Sequence, residues 1–283
     1  MTNNFLVAHK NEISLLALIH KFGHLRRDDI ARALWPSSSA TTARSMALKT
    51  IHRLIKARQL KATPNILGSY SYLLSWIGGN RLEMAGVDGA WKARQNLSVA
   101  DRGFFHRALA TRYLIEQQAA GYEVLGVHAI RRGLYGLKLN QLRDLFGATP
   151  DGLLFSKGTD RGLGPDTTTV AWVTVDSLYK PPAEIRKILE FTTKPDTWID
   201  PAKKLLLDRV IFVQSTLNPH SLSLGNAIGS FVLENKLSDP GVLSRIAIAT
   251  CAVNRSCKWH GFVQQTWQQL QEGTYLSCGA PKW

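Results

Sequence analysis

The stretch TPDGLLFS, residues 149–156, sets a proline and an acid at the mouth of an apolar run. An aspartate there has two chemistries open to it: its carboxylate can help hold a hard cation, or it can shape a turn that opens a strand. A second chemically suggestive stretch is PSSSATTARSMALKTIHRLIKARQL, in which small polar residues are followed by cations at helical spacing. Hydroxyls and guanidinium or ammonium groups on one helical face are the donors that a polyanion, and above all a DNA groove, calls for. Cys251, Cys257, His260 and Cys278 carry zinc-type donor atoms, but their spacing fits no common zinc motif, and a buried thiol is unremarkable where Cys251 ends an apolar strand. No glycine-rich phosphate loop of the ATPase type occurs.

The bulk composition favours the polyanion. Formal charge is +14 over 283 residues, and it is uneven: residues 1–98 hold 14 Lys or Arg against 5 acids, a net of +9. Hydrophobic content of 45% with 20% charge is that of a folded chain long enough for two modest domains. No apolar run approaches the roughly 20 residues of a membrane span, the start MTNNFLVAHKNE is a poor signal peptide, and three cysteines make no disulfide framework. A cytoplasmic protein is expected.

Positioning the cations needs helices. Ile13, Leu16, Ala17 and Ile19 to Phe22 are spaced for a helix from Asn11 that Gly23 stops, and Arg27–Leu34 reads as a short second helix with Asp28 and Asp29 at its positive end. A third helix has Ser38 or Ser39 as its N-cap and Met46, Leu48, Ile51, Leu54 and Ile55 as its buried stripe, with Arg44, Lys49, Arg53, Lys56 and Arg58 on the other side. LKATP and SYSYLLS then read as a hairpin about the turn NILG, with Tyr70 and Tyr72 on one face. Three helices and a hairpin are the order of a winged helix-turn-helix, expected over residues 1–90 and closed by WIGGNRLEMAG, with a junction near 87–102. On this reading Ser39, Thr41, Thr42, Arg44, Ser45 and Lys49 approach bases or flanking phosphates of double-stranded DNA, and Arg53 and Lys56 hold its backbone.

Residues 103–283 read as a mixed α/β sheet with helices on its faces. The expected elements are a helix from Phe104 to Ala119, strands at YEVLGVHAI, DGLLFS, TTVAWVTVDS, RVIFVQS and RIAIATC, and helices at AEIRKILEFTT and HSLSLGNAIGSFVLENKL. A terminal helix is expected at GFVQQTWQQLQE.

Helix, then a hairpin whose strands carry acids, then a crossover helix resembles the core of the restriction-endonuclease-like PD-(D/E)xK fold. That likeness implies Mg²⁺ or Mn²⁺ held by Asp151 and a second acid, placed most naturally at Asp176, with Glu190 and Lys194 as a competing acid and lysine if their segment is a strand. It also allows Glu116 as a third carboxylate from the preceding helix. Taken together, LLALIHKFGHLRRDDIARALW with ARSMALKTIHRLIKARQL, and downstream ATPDGLLF, VAWVTVDS and KILEFTTK, resemble the replication-relaxation family of mobile-element proteins, itself similar to MobC-type plasmid mobilisation relaxases. The resemblance implies work at an origin of transfer or replication, by nicking DNA or by assisting other mobilisation or replication proteins, with a homodimer on two half-sites as one arrangement. The chain departs from the family pattern in one telling place, where Thr174 stands for an expected acid between Trp172 and Asp176, and no lysine follows two residues after Asp176. A non-enzymatic regulator or accessory protein with an inactive nuclease-like domain is the alternative. The relaxase design built on paired histidines and a tyrosine nucleophile is rejected, since no H-x-H string occurs.

Overall fold

A computed structural model describes residues 4–87, 90, 103–133, 136–157, 166–176, 180–194, 197–217, 221–253 and 259–272. The chain forms two compact units, Met1–Gly121 and Tyr122–Lys282.

The first unit begins with α1 (Asn4–Phe22), which starts seven residues before the expected Asn11 and buries Leu15, Leu16, Leu18, Ile19 and Phe22. Gly23 ends it at φ +86°, its N–H reaching the Ile19 carbonyl, a left-handed geometry that suits glycine. A short strand β1 (His24–Arg26) leads into α2 (Arg27–Leu34) and then α3 (Ala40–Lys56). Ser39 is the N-cap of α3, accepting the Thr42 N–H at 3.2 Å. The buried stripe of α3 is Ala43, Ala47, Thr50, Ile51 and Leu54, whereas Met46, Leu48 and Ile55 are half-buried. α3 packs against α2, and its buried stripe includes small residues at 43 and 47, which a pattern weighted by hydrophobic size misses.

β2 (Leu60–Pro64) and β3 (Tyr70–Leu74) form the expected hairpin, and β1 adds to its other side, giving the order β1-β3-β2. Asn65 builds the turn. Its amide oxygen accepts the Leu67 and Ser69 N–H groups and its amide nitrogen donates to Ser69 and Ser71, with Gly68 at φ +72°. Tyr70 stays exposed at this tip, but Tyr72 is buried, so the two do not share an open face. Helix α4 (Trp76–Met84) is capped by Ser75, which accepts the Gly78 N–H and donates to the Arg58 carbonyl. A Cβ at Gly78 would sit 2.2 Å from the Gln59 carbonyl oxygen, so only glycine permits this crossing.

Helix α5 (Phe104–Ala119), expected to open the second domain, lies in the first unit and packs on α2. Buried charge ties the two helices. Arg26 holds Asp29 with bonds of 2.8 and 3.0 Å, Arg112 approaches the same carboxylate at 3.6 Å, and Glu116 bridges Arg112 and Arg32. Burial opposes ionisation of Asp29, but the charges of Arg26 and Arg112 and the hydrogen bonds from Arg26 outweigh it, so its pKa falls below the ordinary value.

The second unit is a seven-stranded mixed sheet with helices. β4 (Glu123–Gly126), β5 (Gly152–Lys157) and β6 (Thr168–Asp176) are successive antiparallel neighbours. β8 (Leu205–Ser215) and β9 (Ile246–Val253) then run parallel to β6, and β10 (Trp259–Thr266) closes the sheet antiparallel to β9. The short β7 (Trp198–Asp200) pairs with β8. Helices α6 (Val127–Arg131), α7 (Leu139–Phe146), α8 (Pro182–Thr193), α9 (Ser221–Glu234), α10 (Pro240–Leu243) and α11 (Trp267–Gln271) complete it. Phe146, Trp172 and Phe191 meet with ring centroids 4.6 to 5.9 Å apart, in a core with Ile185, Ile188, Leu189 and Phe212.

Two expected elements change type. YEVLGVHAI is strand only to Gly126, after which Val127–Arg131 is helical; GFVQQTWQQLQE is strand to Thr266 with one turn and a half of helix after it. Pairing with β9 decides the second case: ladder bonds along that strand are worth more than a short amphipathic pattern.

Candidate nucleic-acid interface

The sequence places its cations on α3, and the fold leaves that face open. Ser39, Thr41, Thr42, Arg44, Ser45, Lys49, His52, Arg53 and Lys56 are all exposed, while the opposite stripe is packed. Successive steps of three and four residues put Thr41, Ser45, Lys49, Arg53 and Lys56 along one side of a helix about 25 Å long.

The cations on this face are not equivalent. Lys49 and Lys56 have no partner among the described residues. Arg53 is tied to Glu12 at 2.8 Å, and the same carboxylate binds Arg81 at 2.7 Å. Desolvation disfavours the charged form of Glu12, yet the bonds from Arg53 and Arg81 prevail and lower its pKa. Arg44 is held by Asp28 of α2 through Nε at 3.1 Å and Nη2 at 3.3 Å. Neither acid was singled out for this role by the sequence, because each pairing crosses between helices; the excess of cations on α3 was the only signal available.

A second polar locus lies on the sheet of the other unit. β5 and β6 pair Leu153 with Trp172 and Gly152 with Val173, and Asp151 immediately precedes this ladder; on β6, Thr174 lies on the face that carries Val170 and Trp172 into the core. Asp176 follows on the same face and is buried. Asp151 accepts the Val175 N–H at 2.8 Å through one carboxylate oxygen, and its own N–H donates to the Val173 carbonyl. Lys180 reaches the same place from beyond β6: its Nζ donates to the Thr174 hydroxyl and lies 3.6 Å from Glu184. Farther along, Gln214 is the β8 neighbour of Asp176 and donates to Thr250 of β9.

The remaining candidates are elsewhere. Glu190 is exposed on α8 and Lys194 is exposed at its C-terminal end, so the strand that would place them beside Asp151 does not form. Isoleucines and leucines at helical spacing, Ile185, Ile188 and Leu189, outrank the β-formers of LEFTT. The Glu116 carboxylate belongs to the first unit and is committed to Arg32 and Arg112. Cys251 is buried in β9, whereas Cys257 and Cys278 lie outside the described residues. Among the described residues no group of three or more His, Cys, Asp or Glu could hold a metal ion.

One Asp151 oxygen accepts the Val175 N–H, and the Thr174 hydroxyl is engaged by the Lys180 ammonium group. Among the described residues no helix is long and apolar enough to cross a membrane. Comparison of the chain with protein-family models, with curated proteins and with solved structures returns no match.

Proposed function

We propose that the first unit is a winged helix-turn-helix that binds double-stranded DNA, with α2 and α3 as the helical pair, α3 entering the major groove and the β2–β3 hairpin as the wing. One observation carries this reading: α3 turns hydroxyls and cations to solvent along its whole length while its apolar side is packed. Thr41, Arg44, Ser45 and Lys49 near its start suit base edges and flanking phosphates, and Arg53 and Lys56 near its end suit the backbone.

The nuclease-like reading of the second unit rests on its sequence order of elements and its Pro150–Asp151 pair; Thr174 in place of an expected acid, with no lysine two residues after Asp176, favours an inactive or accessory domain over a metal-dependent nickase. The sequence resemblance to mobile-element proteins supports a cytoplasmic role at an origin of transfer or replication, beside other mobilisation or replication proteins, with a homodimer on paired half-sites.

Duplex binding measured by fluorescence anisotropy against salt tests the core of the proposal. We expect affinity to fall steeply with salt, with a log–log slope of about −3 to −5 if four or five phosphates are neutralised. Lys49→Ala with Lys56→Ala should flatten that slope by about 2. Unchanged affinity in this double variant would remove the proposal.

A further inference from the structure

Arg44 and Asp28 stand out on the α3 face. The Asp28 carboxylate meets Arg44 side-on, Oδ1 accepting from Nε at 3.1 Å and Oδ2 from Nη2 at 3.3 Å. That grip uses two of the five guanidinium N–H groups and leaves the outer edge, Nη1 with the second Nη2 hydrogen, without a partner among the described residues. Both side chains are about half exposed, at the first turns of α3 whose neighbours Thr41 and Ser45 are exposed as well. Arg27 Nε lies 3.4 Å from the same Asp28 oxygen and gives the carboxylate a second cationic partner.

We infer that Asp28 is a positioning residue that presents the Arg44 fork to a guanine in the major groove, where N7 and O6 offer two acceptors at the matching spacing. This rests on the DNA-binding reading above and adds the base that is read. A phosphate could also take two bonds from the fork, but a cation already neutralised by a carboxylate gains little from phosphate charge. A neutral purine edge rewards orientation, which the Asp28 grip supplies by removing rotamer freedom before binding. Thr41 and Ser45, short neighbours of Arg44, leave room for the groove edge to approach.

The test uses the full chain. A duplex is selected from a random library with the wild type, and each guanine in it is replaced in turn by 7-deazaguanine, which lacks the N7 acceptor. Wild type should lose about 10-fold in affinity at one guanine. Arg44→Ala should be indifferent to that replacement. Asp28→Asn should keep or raise its affinity for the duplexes altered elsewhere, because a negative charge has gone, while its discrimination at the one guanine falls below about 3-fold. Asp28→Glu should recover part of the discrimination. The inference is overturned if no guanine shows the loss, if Arg44→Ala shows it as strongly as wild type, or if Asp28→Asn discriminates like wild type. A wild type that binds no duplex overturns the winged-domain reading as well, whereas binding that ignores Arg44 overturns this inference alone.

Discussion

Asp151 shows how one residue type in one sequence context admits two readings that only its bonds separate. Its carboxylate closes the start of the β5–β6 ladder by accepting the Val175 N–H, a place where a backbone carbonyl would otherwise serve. Thr174, bonded by Lys180, stands where the sequence resemblance called for an acid. We therefore expect neither wild type nor Asp151→Ala to nick supercoiled DNA in Mg²⁺ or Mn²⁺, with duplex binding intact in both. Asp151→Ala should instead lower the stability of the second unit by about 1–3 kcal/mol, for a buried N–H left without its acceptor. Nicking by wild type that Asp151→Ala abolishes would restore the enzyme reading.

At the scale of elements, α2 is joined to its neighbours by charge as much as by apolar packing. Asp29 is fully buried between Arg26 and Arg112, and its pKa is held below the ordinary 3.8 against the pull of desolvation. A depressed carboxylate pKa contributes stability that is present above the unfolded value and lost as pH falls through the folded value. Wild type should thus exceed Asp29→Asn in urea stability at pH 7, and the gap should close as pH drops below about 4. Urea midpoints between pH 7 and pH 2.5 measure this; a gap independent of pH would mean that Asp29 acts by shape and not by charge. Most of these elements were legible from apolar spacing and caps, among them α3 with Ser39, the Asn65 turn and Pro182 opening α8. β1 was not legible, because three residues with two of them polar carry no periodic signal, and it exists only through pairing with β3.

For the whole molecule, the division falls after Gly121 and not in the 87–102 region that composition suggested. Turn-forming residues mark a change of local structure, but a domain ends where its packing ends, and the α5 contacts with α2 carry the first unit past that region. A fragment of residues 1–121 should consequently unfold cooperatively and bind duplex DNA. A fragment ending at residue 90, which lacks Arg112 and Glu116, should unfold at least about 3 kcal/mol more easily, since it leaves Asp29 and Arg32 short of their partners. Equal urea midpoints for the two fragments would refute this boundary.

Sequence alone was enough for the basic first third, the polar and cationic face of α3, the hairpin turn and the presence of a mixed α/β second unit, because each follows from local spacing and composition. Tertiary structure alone decided that Asp28 grips Arg44 and Glu12 grips Arg53, that Asp151 serves a backbone N–H, that α5 belongs with α2, and that β10 is a strand. In each of these cases the partner is remote in sequence or on another element, and pairing between distant groups leaves no period in a chain for a reader to find.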